Sequence, residues 1–182
     1  DRAIRMWRLA DGAPLCTLEG HTDEVKALAV SPNTMASGSE DQTIRIWRLA
    51  DGTAAAWHTL VGHSQIVNSV AITPDGLSVV SASSDHTLRL WGVVEGRLLR
   101  MFAWHENYVH SVAVSPDGTW MASGSEDRTV RVWMLQSGTK LLTLKGHTDW
   151  VCSVAVSPDG QSIVSGSADS TVRIWRFADP AP

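Results

Sequence analysis

The sequence lacks several features that mark disulfide-stabilised, membrane-spanning or nucleic-acid-binding proteins. Its two cysteines, Cys16 and Cys152, lie in apolar strand-like segments and have neither the spacing of metal ligands nor that of a disulfide framework. No run of apolar residues approaches the roughly 18 that a transmembrane helix needs, and no signal-peptide core follows Asp1. The formal net charge is −4, without any block of like charges, so no basic surface for nucleic acid is predicted. We therefore expect a cytoplasmic protein that binds neither membranes nor nucleic acid.

Phenylalanine and tyrosine are also scarce, since two Phe and one Tyr accompany nine Trp. Such an imbalance suggests that one Trp has been copied together with a repeating unit. Five of the tryptophans each end a similar segment, and successive ones are separated by 40, 44, 42 and 42 residues. They are Trp7, Trp47, Trp91, Trp133 and Trp175. The chain is therefore predicted to be a tandem array.

Each segment that ends in one of these tryptophans has apolar side chains at alternate positions, as in TIRIW at 43–47 and TVRVW at 129–133. This alternation is typical of a β-strand. A second landmark, VAVSPDG at 112–118 and 154–160, is a strand that runs into a Pro-Asp-Gly turn. The local pattern is thus strand, turn, strand.

The repeating unit is long enough for four short strands and leaves no room for a helix. Residues 105–133 and 147–175 are identical at 18 of 29 positions without a gap, which indicates duplication of one unit. A four-stranded antiparallel sheet with apolar residues on both faces cannot bury them alone, whereas sheets stacked around an axis can. We therefore predict an all-β fold of stacked four-stranded sheets.

The motifs of each unit are Gly-His, a spaced Ser-x-Ser-x-Asp and a strand-ending Trp, at about 42 residues per unit. In these features the chain resembles the WD-repeat β-propeller family over essentially its whole length. The resemblance implies that each four-stranded antiparallel sheet is one propeller blade. The sequence departs from the family pattern in two ways. The residue after each Trp is never the Asp that names the family, and Trp104 stands where the other units have Gly before His.

We predict one propeller domain that spans the whole chain. With strands named a to d from the axis outward, the order is cd, abcd, abcd, abcd, abc, which gives seventeen strands. The extra c strand, residues 2–8, looks like the remnant of a preceding repeat and suggests that the chain is a fragment of a longer array. The predicted units are a partial repeat at 1–20, full repeats at 21–62, 63–104 and 105–146, and a last repeat at 147–182 without its outer strand.

The number of blades bears on how the ring closes. Four blades are fewer than the seven or eight usual in the family, so a closed four-bladed monomer is disfavoured. An open array would expose apolar faces and unpaired strand edges, which favour association. We therefore predict a homodimer in the form of an eight-bladed ring, in which residues 14–18 of each chain complete the last blade of the other.

A set of His, Ser, Asp and Trp recurs at nearly fixed spacing in every full unit. The His stands 20 or 22 residues before the Asp, and the short spacing comes from a turn that is two residues shorter in the first unit. The family resemblance implies a structural hydrogen-bond network within each blade. A Ser-His-Asp nucleophile triad is the alternative, but four copies that include a Trp favour a structural role, and no catalytic residue is predicted. The four sets are His21, Ser37, Asp41 and Trp47; His63, Ser81, Asp85 and Trp91; His105, Ser123, Asp127 and Trp133; and His147, Ser165, Asp169 and Trp175.

A recurring Arg lies two residues before each strand-ending Trp. An arginine ladder for phosphate is one interpretation. Because the chain is acidic overall, we favour pairing with neighbouring acidic residues or packing of the side-chain stem on apolar surface. These residues are Arg5, Arg45, Arg89, Arg131 and Arg173.

Candidate partner-binding residues follow from the resemblance, which implies that the positions three and five after each of these His face the mouth of the central channel. They are Glu24, Lys26, Ile66, Asn68, Tyr108, His110, Trp150 and Cys152. The residue before each Asp of the sets is expected on the same surface: Glu40, Ser84, Glu126 and Ala168. Ile66, Tyr108 and Trp150 are candidate anchors for a peptide, preferably a basic one, although they could instead pack against the adjacent loop.

The leading functional hypothesis is a non-catalytic scaffold that presents this loop face to a protein or peptide. The alternative is a regulatory or sensor module from a larger multidomain signalling protein, and a hydrolase would require a reactive serine. No metal or cofactor is predicted, since His58, His86 and His110 share no spacing typical of metal ligands.

Overall fold

The computed structural model describes residues 1–50 and 53–177, and these form seventeen strands and no helix. The predicted number of strands and their grouping are confirmed. In chain order the strands are β1 (Ile4–Trp7), β2 (Pro14–Leu18), β3 (Val25–Ser31), β4 (Thr34–Ser39), β5 (Ile44–Ala50), β6 (Thr53–Leu60), β7 (Val67–Ile72), β8 (Ser78–Ser83), β9 (Leu88–Gly92), β10 (Arg97–Phe102), β11 (Val109–Val114), β12 (Trp120–Ser125), β13 (Thr129–Met134), β14 (Lys140–Lys145), β15 (Val151–Val156), β16 (Ser162–Ser167) and β17 (Val172–Arg176).

The strands form five antiparallel sheets. Three are complete blades of four strands, in the orders β3–β4–β5–β6, β7–β8–β9–β10 and β11–β12–β13–β14. The fourth blade has only β15–β16–β17, and β1–β2 forms a separate two-stranded sheet. The inner strands β3, β7, β11 and β15 pack against one another in succession. Blade order therefore follows chain order.

The Pro-Asp-Gly turns have a clear physical basis. At the β11–β12 turn, Asp117 Oδ1 accepts hydrogen bonds from Ser115 Oγ and from the Thr119 N–H at 3.0 Å. Gly118 has a φ of +70°, a left-handed conformation that costs glycine little. In the first blade β3 and β4 are joined by only two residues, Pro32 and Asn33, which confirms the predicted tighter turn.

The core lies between blades, not within them. Ile44, Ile46 and Leu60 of the first blade are buried against Val79 and Trp91 of the second. Full burial of each such aliphatic side chain contributes about 1.5–3 kcal/mol. Stacking of neighbouring blades is therefore the main source of stability.

The sheets form an open array and do not close into a ring. Val172 and Ile174 of β17 are 70% and 63% exposed, whereas Val130 and Val132, their counterparts in β13, are buried. At the other end Leu28 of β3 is 50% exposed. Each end of the array thus leaves one apolar blade face uncovered by the described residues.

The described residues form neither a membrane-spanning helix nor a cluster of metal-ligating side chains. None of their secondary structure is a helix long and apolar enough to cross a membrane. They also bring together no group of three or more His, Cys, Asp or Glu side chains able to hold a metal ion.

Candidate functional site

The His, Ser, Asp and Trp sets are hydrogen-bonded in all four blades. In the third blade His105 Nδ1 lies 2.7 Å from Asp127 Oδ2, and His105 Nε2 lies 2.8 Å from Ser123 Oγ. The Trp133 indole N–H donates to the same hydroxyl at 2.9 Å. The other blades repeat these contacts within 0.1 Å. Each set links the connection before an inner strand to the second and third strands of its blade.

The protonation states of these groups follow from their burial and hydrogen bonds. Burial lowers the pKa of His63 and His105 below the usual 6.5, and the bond to the paired aspartate offsets only part of this effect. Burial alone would raise the pKa of Asp41, but hydrogen bonds from Thr43, His21 and the backbone outweigh it and lower the pKa to about 2. At neutral pH His63 and His105 are therefore neutral, and each donates its Nδ1–H to the carboxylate and accepts the Ser hydroxyl proton at Nε2.

The aspartate of each set also shapes the turn between the second and third strands. Asp127 Oδ1 accepts from the Thr129 N–H at 3.0 Å and from its hydroxyl at 2.6 Å. Its Oδ2 accepts from the Glu106 N–H at 3.2 Å. The next residue, Arg128, has a φ of +66°, as do its counterparts within a few degrees. One carboxylate thus fixes both the turn and the incoming loop.

The predicted partner-binding residues lie at the start of each inner strand. One backbone hydrogen bond recurs at these positions in all four blades. Its donor is the N–H of the residue that precedes the aspartate of the set, and its acceptor is the carbonyl of the residue three positions after the histidine of the set. The pairs are Glu40 with Glu24, Ser84 with Ile66, Glu126 with Tyr108 and Ala168 with Trp150, at 2.9–3.0 Å. These two groups of residues therefore share one surface. We call it the rim surface and define it by these eight residues together with Lys26, Asn68, His110 and Cys152.

Two aromatic side chains stand out on the rim surface. Tyr108 is 38% exposed and Trp150 is 49% exposed, whereas Ile66 is half-buried. Each aromatic ring leans on a histidine of the preceding blade, with centroids 5.6 Å apart for Tyr108 and His86 and 6.3 Å apart for Trp150 and His110. Sequence reasoning gave His86 no role. Its position directly after a set aspartate, in the rim turn, is the signal that could have found it.

Polar contacts divide the other rim residues into exposed and structural ones. Lys26 Nζ lies 2.9 Å from Glu40 and 3.5 Å from Glu24, all partly exposed. Asn68 is half-buried instead, and its amide donates to Ser84 Oγ and to the Val109 carbonyl of the next blade, both at 3.0 Å. Asn68 therefore links two blades, and its amide N–H groups already donate hydrogen bonds within the chain instead of facing a partner.

The remaining rim contacts involve a histidine–glutamate hydrogen bond and a thiol. His110 Nε2 lies 2.9 Å from Glu126 Oε1, which holds the imidazole against the Trp150 ring. Cys152 is exposed, and its thiol lies 3.6 Å from the Trp150 carbonyl oxygen. The rim surface of the third and fourth blades is thus a continuous patch around two aromatic rings.

Comparison with known families agrees with this geometry. The family model described as WD domain, G-beta repeat matches the chain four times, over residues 12–48, 56–92, 96–134 and 138–176. The chain belongs to the WD-repeat family. A comparison with curated proteins found no match. WD repeats generally act as scaffolds for protein–protein interaction, which is the class of function that this membership indicates.

The boundaries of the four WD-repeat matches are offset from the boundaries of the blades. The first match runs from just before β2 into β5, and the last from just before β14 to the end of β17. Each WD repeat therefore supplies the outer strand of one blade and the three inner strands of the next. β1 lies outside all four matches.

The serines of the WD sets are not placed to attack a substrate. Ser37, Ser81, Ser123 and Ser165 have no exposed surface. Each hydroxyl is engaged by the histidine and by the Trp indole, so it is both enclosed and hydrogen-bonded. A nucleophile needs access to its substrate, and these side chains lack it.

The arginines that precede the WD-set tryptophans have two kinds of partner. Arg131 lies 3.2 Å from Asp127 and Arg89 lies 3.7 Å from Asp85, which confirms pairing with acidic neighbours at these positions. Arg45 instead donates to the Gly20 carbonyl at 2.7 Å. Arg131 also donates to the Trp104 carbonyl, so Trp104 keeps the backbone contact that Gly makes in the first repeat.

Proposed function

We propose that this WD-repeat chain is a non-catalytic cytoplasmic scaffold that binds a peptide segment of a partner protein through the rim surface. The observation that carries the proposal is the exposure of Tyr108 and Trp150 on successive blades, each backed by a histidine. Rigid aromatic side chains bury a large area at a small cost in conformational entropy and are common anchors of interfaces. A neighbouring pair of them offers two contact points for one extended peptide.

The charges of the rim surface favour a basic peptide. Glu24, Glu40 and Glu126 are partly exposed, whereas Lys26 is the one lysine of the rim surface and already pairs with two of these carboxylates. A Lys or Arg side chain of a ligand would compete for them and steer the encounter. Such binding weakens as salt is added, because partly exposed charges are screened within about 8–10 Å.

Selection from a random peptide display library tests the proposal. The wild-type chain is expected to enrich peptides that combine Lys or Arg with an apolar or aromatic residue. The Tyr108→Ala, Trp150→Ala double variant is expected to lose this enrichment, while Leu77→Ala, which removes an exposed apolar side chain from the β7–β8 turn, retains it. Equal enrichment by the double variant, or none by the wild type, would reject the rim surface as the binding site.

We also propose that two copies associate into an eight-bladed ring. Two exposed faces support this proposal. The first-blade face contains Leu28 and Val30 of β3. The last-blade face contains Val172 and Ile174 together with Gly166, whose Cβ position has no described atom within 4 Å. In the stacked array, each blade packs its inner-strand side against the preceding blade. The first-blade face has the same kinds of residue as that side, and the last-blade face corresponds to the side of the preceding blade that it contacts. Joining them repeats an interface that the chain already makes between its own blades.

Sedimentation equilibrium at micromolar concentration measures this association. The expected mass is twice the chain mass of 19.7 kDa. The mass of one chain across the micromolar range would reject the dimer, and a ladder of larger masses would replace the closed ring by an open filament.

A further inference from the structure

β1 and β17 have the same place in the repeat. Residues 4–9 read IRMWRL and residues 172–177 read VRIWRF, so the apolar residues and arginines coincide. β1 pairs with β2 as a third strand pairs with an outer strand, with Ile4 opposite Leu18 and Met6 opposite Cys16. Both strands are therefore third strands of a blade that stands before another blade.

β1 fills a specific position beside the first blade. Ile4 and Leu18 are buried against Met35 and Trp47. Ile44 and Leu60 of the first blade belong in the same way to the core with Val79 and Trp91 of the second. The β1–β2 sheet thus stands in for the outer half of a preceding blade, and it leaves Leu28 of the inner strand exposed.

The last blade of a second copy would need this same position. If its three strands packed on the first-blade face, Val172 and Ile174 of its β17 would fall where Ile4 and Met6 lie. Two strands cannot occupy one place in a sheet. In that arrangement β2 would pair with β17 of the second copy as the outer strand that the last blade lacks.

We propose that β1 is a displaceable strand, which occupies in the single chain the place that β17 of a second copy takes in the ring. The proposal rests on the dimer proposed above and adds strand exchange to it. β1 can be displaced because it is covered less completely than β5, β9 and β13: its Trp7 is 56% exposed, whereas Trp47, Trp91 and Trp133 are buried. β17 arrives with β15 and β16, and its Trp175 is tied to Ser165 at 2.9 Å. The exchange therefore replaces a two-stranded sheet by a four-stranded blade.

A backbone contact between blades supports the same docking. The Val112 N–H donates to Ser69 Oγ of the preceding blade at 3.3 Å, and the Val154 N–H donates to Ser111 Oγ at 3.1 Å. Ser153 is the next serine of this series and is exposed on the last blade. Leu28 holds the position of Val112 in β3, so its N–H in a second copy is the matching donor. The two ends of the chain thus carry both halves of a recurring contact.

A cysteine pair reads out the exchange directly. In the exchanged ring Ile174 lies opposite Cys16 of the other chain, in the place of Met6. Opposite residues of antiparallel strands have Cα atoms about 4.5–5.5 Å apart, within the range of a disulfide. With the exposed Cys152 replaced by serine, oxidised Ile174→Cys is expected to give a disulfide-linked dimer on a non-reducing gel. Leu77→Cys in the same background has similar exposure away from the face and is expected to give none.

The Met6→Cys variant, also in the Cys152→Ser background, supplies the opposite measurement. A disulfide between Cys16 and the new thiol fixes β1 on β2 within one chain, so the oxidised protein is expected to sediment as a monomer and to dimerise after reduction. Strand exchange is overturned, and the proposed dimer is retained, if the oxidised Met6→Cys variant dimerises as well as the reduced one and Ile174→Cys forms no intermolecular disulfide. If the wild type remains a monomer and Ile174→Cys forms no intermolecular link, both proposals fall.

Discussion

Replacement of Asp127 by alanine is expected to lower the free energy of unfolding by about 3–5 kcal/mol, because it removes one partner from a buried charged network. The substitution leaves the His105 Nδ1–H, the Arg131 guanidinium and two backbone N–H groups without their acceptor. An unpaired buried donor costs about 1–3 kcal/mol, so several of them dominate the small loss of packing. Chemical denaturation followed by tryptophan fluorescence measures the change.

Asp117→Ala is the matched control for this substitution. Asp117 accepts from Ser115 and Thr119 in the β11–β12 turn but is exposed, so water can replace its contacts. The control is expected to cost about 1 kcal/mol. Equal losses for the two variants would mean that the buried hydrogen-bonded set contributes no more to stability than an exposed turn contact.

The Gly124→Val and Gly166→Val pair is expected to separate packing within a chain from packing between chains. A Cβ at Gly124 would lie 2.7 Å from Val151 Cγ1 and 3.2 Å from the Val151 carbonyl oxygen. Overpacking of this kind costs about 1–3 kcal/mol or more. At the equivalent Gly166 no described atom lies within 4 Å of the Cβ, and valine suits a strand, so the single chain is expected to keep its stability.

In the proposed ring the consequence for Gly166 is reversed. Val25 of a second copy would approach Gly166 as Val151 approaches Gly124, and the valine would block it. Sedimentation is expected to show at least a tenfold weaker dimer for Gly166→Val, with monomer stability compared at a concentration where both proteins are dissociated. Dimerisation of Gly166→Val with wild-type affinity would show that the last-blade face is not the contact surface.

Much of the fold could be predicted because the repeat makes one pattern visible several times. The spacing of the tryptophans and the alternation around them fix the third strand of every blade, and the Pro-Asp-Gly turns fix the first hairpin. The number of strands then follows, including β1, which belongs to no complete blade. Closure of the ring could not be predicted in the same way. It depends on the faces at the two ends of the array, which contain Leu28 and Ile174, and the repeat pattern does not specify what covers those faces.

The site was predicted less completely than the fold. The rim positions follow from the repeat, and the structure brings Tyr108 and Trp150 to one exposed surface. The role of Asn68 could not be predicted, because its donation to the Val109 carbonyl depends on the distance between two blades. The contact between the His86 and Tyr108 rings could not be predicted either. It depends on the left-handed backbone conformation of His86 in its turn, and not on a spacing that His86 shares with other histidines.

The most direct test of the proposed scaffold is a calorimetric titration with one basic peptide selected by the wild-type chain. The Tyr108→Ala, Trp150→Ala variant is expected to bind that peptide about 30-fold more weakly or worse, a loss of about 2 kcal/mol, since truncation of an aromatic anchor alone often costs that much. Leu77→Ala is expected to bind it as the wild type does, and circular dichroism would verify that all three proteins are folded. Unchanged affinity in the double variant would contradict the account, because the partner would then bind somewhere other than the rim surface.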